Sequence, residues 1–334
     1  MDRALDALRE PLSRFFDTPN FIIAPLPGGA SSRRYFKIIF PEGASYFPAP
    51  AILLTTIPRD EAAILDDYVN VAYYLKRSGV PIPALYEINR AEGWVFSEYL
   101  EIPTLEEHLR RSPREIGKIL PEALRFLLEM QQKCVFEAHC PAFQRRFDYQ
   151  KYMFEFDFHV REQLLDFYYQ HDYDSAFLQD FARHISTTLD IDLPIFVHRD
   201  FQSSNLFYDS AAPANRFKII DFQDARRGSP VYDPVSCLWD SYLPVREELR
   251  RELLKVYFEQ LPQLRISWEW EYYEKIVDYT VIQRKLHDAG AFAYNFRRFG
   301  SKKYVGFIET AIEMALKKMR KYREFAHACK IFER

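Results

Sequence analysis

The chain has 334 residues, of which 48% are hydrophobic and 28% charged, and its formal net charge is −3. This composition is typical of a globular protein large enough for two lobes, and the charge gives no support for nucleic-acid binding. No run of about 18 apolar residues predicts a membrane span, and the acidic, interrupted start is unlike a secretory signal. The four cysteines form no C-x-x-C pair, which favours reduced thiols in a cytoplasmic protein.

The first elements in the chain are predicted strands. An apolar run from Phe21 leads to the turn Gly28–Gly29, and residues 33–40 resume as a second strand, which together predict a hairpin. Residues 51–57 (AILLTTI) predict a third strand, and its continuous apolar start indicates burial on both faces.

A helix is predicted next, with Asp60 as N-cap and Gly79 at its end. Its apolar stripe would consist of Ile64, Tyr68, Val71 and Leu75. Residues 84–88 and 93–100 then predict two more strands joined by a turn. The first part of the chain therefore predicts a five-stranded antiparallel sheet with one helix inserted after the third strand.

The remainder of the chain is predicted to be mainly helical. Capping boxes are predicted at Thr104 and Ser112, each with a glutamate three residues later. Helices are predicted over residues 113–132, 149–169, 245–260, 268–288 and 302–325. The expected fold is α+β and bilobal, with a small N-terminal lobe (1–100) and a larger, mainly helical C-terminal lobe (101–334).

A dense polar stretch, FVHRDFQSSNLFY, lies between apolar ends at residues 196–208. His198, Asp200 and Asn205 have the spacing H-x-D-x-x-x-x-N. In kinase catalytic loops the aspartate of this spacing orients the attacking hydroxyl, and the asparagine reaches a magnesium ion. Taken alone, these residues are equally compatible with a polar turn between two buried elements.

A second metal ligand is predicted at the end of the next strand. The apolar residues 217–220 end in Asp221, 16 residues after Asn205, and a carboxylate oxygen is a ligand that Mg²⁺ prefers. The order and spacing of Asp200, Asn205 and Asp221 favour a phosphotransferase site. Asp200 would be the catalytic residue, and Asn205 and Asp221 would be metal ligands. His198 is predicted to brace the loop.

A resemblance to the aminoglycoside phosphotransferase family of small-molecule kinases, which have the protein-kinase-like fold, is carried by HRDFQSSNLFY and KIIDFQDARRGSPVYDPVSCLWD. A closer resemblance to the anomeric N-acetylmuramate and N-acetylglucosamine kinases of bacterial cell-wall recycling is carried by IDFQDA, YDPVSCLWD, SSRRYFKI and IQRKLHDAGAFAYNFRRFGSKKYV. The resemblance extends from about Pro25 to Ala315. It implies ATP and Mg²⁺ as cofactors and a small-molecule acceptor.

Two absent features separate this sequence from other phosphotransferases. Asp233 follows Asp221 by only 12 positions and no A-P-E follows, which leaves little room for an activation loop. No G-x-x-x-x-G-K-[ST] occurs, which excludes a P-loop.

Asp233 is predicted to cap the following helix and to bond the catalytic loop. Asp224 either approaches metal or substrate or caps a helix.

The nucleotide phosphates are predicted to meet the first hairpin. Gly28 and Gly29 would offer backbone N–H groups, and Ser31 and Ser32 would offer hydroxyls. An ordinary hairpin turn with no ligand is the alternative, because a bare G-G-x-S-S is a weak motif.

The lysine that protein kinases carry on strand three is missing. Arg33, Arg34 or Lys37 on strand two is the candidate replacement, and strand alternation places Arg33 and Lys37 on one face and Arg34 on the other. The resemblance alone implies that Glu98 and Leu100 lie at the lobe junction, where backbone groups would hold adenine. An ordinary edge strand is the alternative there.

The charge of the C-terminal helices bears on the acceptor. Residues 241–334 hold 19 Lys and Arg against 13 Asp and Glu, a net charge of +6. A basic subdomain disfavours a polycation such as an aminoglycoside and favours a neutral or anionic amino sugar. Arg284, Lys285, Arg297 and Arg298 are interpreted as a solvated face.

Two alternatives remain at this level. The missing lysine is compatible with a nucleotide-binding pseudokinase that acts as a scaffold. The aromatic residues of YMFEFDFHV (152–160) are compatible with an amino-alcohol acceptor such as choline, which would require a cage of aromatic and acidic side chains.

Overall fold

The computed structural model describes residues 2–27, 32–42 and 46–333, and it shows a small β lobe followed by a mainly helical lobe. The β lobe contains five strands: β1 (Ile22–Leu26), β2 (Arg34–Ile39), β3 (Ala51–Thr56), β4 (Leu85–Asn89) and β5 (Trp94–Glu98). Neighbouring strands are antiparallel, in the order β1-β2-β3-β5-β4. The predicted sheet, with a helix after its third strand, is confirmed.

Two helices cover parts of the two faces of this sheet. Helix α1 (Asp2–Phe16) packs Leu12 and Phe16 against a buried face that includes Phe36 and Phe96. Helix α2 (Ala62–Arg77) packs on the opposite face, where its buried residues include Leu65 and Val69 and the strand partner is Val95. The part of this second face that α2 leaves uncovered, at Arg33 and Lys37, borders the C-terminal lobe.

Several local predictions in the β lobe differ from the structure. Helix α1 was not predicted. Asp60 lies in a 3₁₀ turn before α2 and makes no side-chain capping bond. Val71 and Leu75 of the predicted stripe are buried, whereas Ile64 is exposed, because the first turns of the helix bury Leu65 and Val69 instead. Strand β3 is buried on one face at Ile52 and Leu54 and only partly on the other, where Thr55 is buried but Leu53 is partly exposed.

The C-terminal lobe contains four short strands and ten helices within the described residues. The strands are β6 (Ile195–Val197), β7 (Leu206–Tyr208), β8 (Phe217–Ile219) and β9 (Arg226–Gly228), paired as β6–β9 and β7–β8. The helices are α3 (Leu105–Arg111), α4 (Ile116–Lys133), α5 (Pro141–Gln144), α6 (Tyr149–Glu155) with a π-helical continuation (Phe156–Tyr169), α7 (Ser175–Leu189), α8 (Tyr232–Leu238), α9 (Glu247–Phe258), α10 (Trp270–Phe299), α11 (Ile308–Met319) and α12 (Ala326–Phe332). Helix α7 was not predicted, and α10 continues well beyond the predicted end at Asp288.

The two predicted capping boxes have different outcomes. Thr104 accepts from the Glu107 N–H while Glu107 accepts from the Thr104 N–H, so this capping box is confirmed. The prediction at Ser112 is wrong. Its side chain makes no capping bond, because Glu115 instead lies 2.7 Å from His108 Nε2 and a 3₁₀ turn precedes α4.

Helix α10 approaches the π-helical segment very closely at Gly290. A Cβ at this position would collide with the backbone carbonyl of His159, and only glycine avoids the clash. The close approach brings the buried middle of α10 next to the loop between β6 and β7.

The four cysteines, Cys134, Cys140, Cys237 and Cys329, are free and buried. Burial raises the pKa of the Cys134 thiol to about 12, which suppresses its reactivity. Over the described residues, none of the helices combines the length and the apolar character that crossing a bilayer requires.

Candidate active site

The predicted catalytic loop connects β6 to β7, and His198 holds its first turn. The Asp200 N–H donates to His198 Nδ1 at 3.2 Å, which assigns the ring proton to Nε2, 3.0 Å from the Ile220 carbonyl. Burial lowers the pKa of His198 and favours this neutral ring. The predicted brace is therefore a hydrogen-bonded link between the loop and the strand that leads to Asp221.

Two buried carboxylates, one near each end of helix α8, accept hydrogen bonds from the loop. Asp233 accepts from the backbone N–H groups of His198 and Arg199 at 2.7 and 2.9 Å. Asp240 accepts from the N–H and the hydroxyl of Ser203 at 2.8 and 2.5 Å. Burial raises the pKa of Asp233 to about 7. The predicted bond from Asp233 to the loop is present, but its predicted capping role is wrong, because Val231 is the N-cap and makes no side-chain bond.

Asp200 lies at the opening of the cleft, with its side chain 25% exposed. Its Oδ1 accepts from Arg284 Nη1 at 2.9 Å, while its backbone carbonyl accepts from Asn205 Nδ2 at 2.9 Å. Burial opposes ionisation of Asp200, but the cations Arg284 and Arg199 outweigh burial and hold the pKa of this carboxyl below its ordinary value. Asp200 is therefore a carboxylate that can accept a hydrogen bond from an incoming hydroxyl.

The residue before Asp200 is anchored away from the cleft. Arg199 has a left-handed backbone, with φ of 79°, a conformation that costs about 1–3 kcal/mol and is held by surrounding contacts. Its Nη2 donates to Glu155 Oε1 at 3.0 Å, and Glu155 is fully buried. Glu155 also accepts from Gln283 at 2.7 Å and lies 3.2 Å from Lys151 Nζ. Sequence reasoning missed Glu155, which lies in the middle of a helix with no motif around it.

The two predicted metal ligands offer free oxygen atoms. Asn205 uses its Nδ2 on the Asp200 carbonyl, and within the described ranges its Oδ1 has no hydrogen-bond partner. Asp221 accepts from Arg33 and Gln223 through Oδ1, whereas its Oδ2 has no partner in the part of the chain that the structure describes. Its φ of 66° is again left-handed.

This donor set fits Mg²⁺ better than a metal that needs an all-protein cage. No group of three or more His, Cys, Asp or Glu residues that could hold a metal occurs among the residues described. Mg²⁺ is typically bound through one or two protein oxygens, with substrate phosphates and water completing the octahedron. Asn205 Oδ1 and Asp221 Oδ2 match that requirement.

Arg33 is the strand-two cation that reaches the site. Its Nη2 lies 2.7 Å from Asp221 Oδ1, and its side chain is 14% exposed. Lys37 instead pairs with Glu101 at 2.7 Å and lies over the Tyr99 ring, while Arg34 is exposed. Of the three candidate replacements for the missing lysine, the structure brings only Arg33 to Asp221.

Only part of the predicted phosphate loop lies within the described residues. Gly28, Gly29 and Ser31 lie outside the described residues. Ser32 is described, and its hydroxyl donates to Glu61 at 2.5 Å. Together with Arg33 it borders a cavity of about 150 Å³ at the edge of the cleft. Glu61, Ile64, Asp67, Arg145, Gln223 and Asp224 also line this cavity.

The lobe junction is held by side chains as well as backbone. Glu98 accepts from Lys218 Nζ at 2.5 and 2.6 Å and from the Ala84 N–H at 3.1 Å. Its side chain therefore ties the last strand of the β lobe to β8. Leu100 follows in the connecting segment and is partly buried.

The interpretation of four basic residues as a solvated face is half wrong. Arg284 and Lys285 are buried, with side chains 3% and 1% exposed, whereas Arg297 and Arg298 are exposed. Helix α10 is buried along most of its length, so its apolar periodicity does not reveal an outward face.

Asp224, for which the sequence left two roles open, is 46% exposed and lies 3.8 Å from Arg199.

A family model described as the phosphotransferase enzyme family matches residues 22–270, more than half of the chain. The chain belongs to this family. It is a kinase that acts on a hydroxyl acceptor, and the resemblance drawn from the motifs is confirmed.

Two curated relatives carry one name. An N-acetylmuramate/N-acetylglucosamine kinase of Neisseria meningitidis is 26% identical over 332 residues, which cover 96% of this chain and 92% of that protein. A kinase of the same name from Pseudomonas aeruginosa is 30% identical over 128 residues, 35% of this chain and 36% of that protein.

Solved structures of low sequence identity share the fold. The choline kinase LicA of Streptococcus pneumoniae has a TM-score of 0.61 at 14% identity, and the match covers 96% of this chain and all of that one. The ADP-bound aminoglycoside phosphotransferase APH(2'')-Ib has a TM-score of 0.60 at 16% identity, over 92% and 97% of the two chains. The predicted bilobal, protein-kinase-like α+β fold is confirmed.

Proposed function

We propose that the protein transfers the γ-phosphate of ATP to a hydroxyl of a neutral or anionic amino sugar, with the anomeric hydroxyl of N-acetylmuramate or N-acetylglucosamine as the first candidate. The observation that carries this proposal is that hydrogen bonds of one loop bring Asp200, Asn205 and Asp221 together. A relative that matches 96% of this chain is named N-acetylmuramate/N-acetylglucosamine kinase. We also propose a cytoplasmic location, because all four cysteines are free and buried. The lobe boundary is proposed near residue 100.

The proposed chemistry is direct in-line transfer. Asp200 orients the acceptor hydroxyl and takes its proton, the hydroxyl oxygen bonds to the γ-phosphorus, and ADP leaves with the electron pair of the broken bond. Asn205 and Asp221 would hold Mg²⁺, which would supply charge neutralisation for the phosphates. Arg33 would add a second cation there, so positioning and electrostatics supply most of the rate.

The surroundings of Asp200 support an acceptor that is not a cation. A choline-type cage needs an available carboxylate beside aromatic rings. In the aromatic segment, Glu155 is already neutralised by Lys151 and Arg199, and Lys151 itself lies 4.9 Å from the Phe154 ring centroid. This arrangement supports an amino sugar over an amino alcohol. The intact loop likewise supports an enzyme over a pseudokinase scaffold.

An acceptor panel tests the proposal. ATP consumption is measured with N-acetylmuramate, N-acetylglucosamine, choline, ethanolamine and an aminoglycoside, and product NMR locates the new phosphate. We expect turnover with at least one of the two sugars and phosphate on the anomeric oxygen. Turnover with choline or the aminoglycoside alone would contradict the proposed acceptor, and no turnover at all would favour the scaffold.

Replacing Arg33 with Gln tests the phosphate cation. We expect KM for ATP to rise about 10-fold, the equivalent of about 1.4 kcal/mol, with a smaller change in KM for the sugar. Arg34→Gln is the matched control, since this neighbour is exposed on the other face of β2 and should leave KM for ATP within about twofold. Equal effects of the two changes would remove Arg33 from the site.

A further inference from the structure

A buried arginine of helix α10 contacts the catalytic loop at several points. Arg284 Nη1 lies 2.9 Å from both Asp200 Oδ1 and the Arg199 carbonyl, and Nη2 lies 3.4 Å from Gln202 Oε1. On its other side, Nε lies 3.1 Å from Asp288 Oδ1. The guanidinium group thus connects one turn of α10 to three residues of the catalytic loop, Arg199, Asp200 and Gln202.

The two carboxylate oxygens of Asp200 differ in their hydrogen bonding. Oδ1 is bonded to Arg284, whereas Oδ2 has no hydrogen-bond partner among the residues that the structure describes. The Asp200 side chain is 25% exposed, while that of Arg284 is only 3% exposed. One oxygen is therefore held from inside the protein, and the other is left for a group that enters from the cleft.

Burying a charged group at this place is not explained by stability alone. Desolvation of both partners offsets much of the attraction in a buried ion pair, so an apolar pair of similar size is often equally stable. The rate of phosphoryl transfer, by contrast, depends strongly on orientation, and a misplacement of about 1 Å in a reacting group can cost about 100-fold. A rigid, planar guanidinium that contacts one oxygen of the catalytic carboxylate and two further atoms of the same loop meets that requirement.

We propose that Arg284 is a positioning residue for phosphoryl transfer. Its guanidinium fixes Asp200 Oδ1 so that Oδ2 faces the acceptor hydroxyl, and Asp288 fixes the guanidinium in turn. The inference rests on the proposed function, because it assumes that Asp200 orients the acceptor. Arg284 touches neither substrate, and no bond to it forms or breaks during transfer.

Steady-state kinetics of Arg284→Gln and Arg284→Lys test the inference in the full chain, with the sugar that the acceptor panel identifies. We expect Arg284→Gln to lower kcat about 100-fold while KM for ATP and for the sugar stays within about threefold. Arg284→Lys keeps the charge but loses the fork, so it should recover about 10-fold of that loss.

The matched control is Arg250→Gln. Arg250 is another buried arginine of the same lobe, with a side chain 9% exposed, and it donates to the Leu238 carbonyl. Its loss should lower the melting temperature but leave kcat within about threefold. A melting curve of each variant confirms that the assayed protein is folded.

Two outcomes for kcat would overturn the inference: a value for Arg284→Gln within threefold of wild type, or an equal loss in Arg250→Gln. A raised KM with unchanged kcat would also overturn it, by making Arg284 a substrate-binding group. Wild-type protein that phosphorylates no sugar overturns the proposed function and the inference together. Active wild type with an unimpaired Arg284→Gln variant overturns the inference alone.

Discussion

Replacing Asp200 with Asn is expected to lower kcat about 1,000-fold and to leave the affinity for Mg·ATP within about threefold of wild type. Asn has nearly the same shape and its Oδ1 can still accept from Arg284 Nη1, so the loop should keep its conformation. An amide does not accept the proton of the acceptor hydroxyl, however, and it lacks the negative charge that orients that hydroxyl. The loss should therefore appear in the chemical step and not in nucleotide binding.

Two measurements separate these effects: the rate of sugar phosphorylation and the binding of a fluorescent ATP analogue. Asp209→Asn is a suitable control, because the Asp209 side chain accepts from the backbone N–H groups of Ala211 and Ala212 in the turn between β7 and β8. Its kcat should stay within about twofold of wild type. A near-wild-type rate in Asp200→Asn would remove Asp200 from the catalytic step, and a loss of ATP binding would make it part of the nucleotide site.

Replacing Glu155 with Gln is expected to destabilise the protein by about 3 kcal/mol, the range found when one partner of a buried ion pair is removed. Glu155 is fully buried and compensates Arg199 and Lys151, whose side chains are 14% and 17% exposed. A neutral amide leaves these two cations without their shared anion. Since Arg199 directly precedes Asp200, kcat should fall as well.

The pH dependence of stability gives an independent test of Glu155. Burial opposes its ionisation, but His287, Arg199 and Lys151 outweigh burial and hold its folded-state pKa well below the usual 4.5. A carboxyl with a depressed folded pKa stabilises the fold above its unfolded pKa, and this contribution is lost as pH falls below about 4.5. The stability gap between wild type and Glu155→Gln should therefore be full at pH 7 and narrow on acidification.

Urea unfolding at pH 7 and at pH 4 measures this gap. Asp157→Asn is the matched control from the same helical segment, because the Asp157 side chain is 60% exposed and pairs with Arg161 on the surface. Its cost should stay below about 0.5 kcal/mol at both pH values. A Glu155→Gln variant that matches Asp157→Asn would show that the buried charge contributes nothing to the fold.

The sequence alone was sufficient for the features that depend on local pattern. The five strands of the β lobe are visible as apolar runs separated by turn residues, because a sheet requires that pattern wherever it is placed. The loop around Asp200 and the strand end at Asp221 are visible for a related reason. The proposed roles, a hydroxyl-orienting carboxylate and two metal-binding oxygens, require fixed distances between neighbouring loop and strand residues, so their spacing is visible in the linear sequence.

Other features required the tertiary structure, because they depend on distant segments meeting. Arg284 is 84 residues from Asp200 and Glu155 is 44 residues from Arg199, so no local spacing connects either pair. Helix α10 is buried along most of its length, so its buried cations could not be told from surface ones by periodicity. The structure also decided that Arg33, rather than Arg34 or Lys37, reaches Asp221. The sequence alone was enough to propose which groups carry the chemistry, whereas long-range packing determined which charges contact those groups.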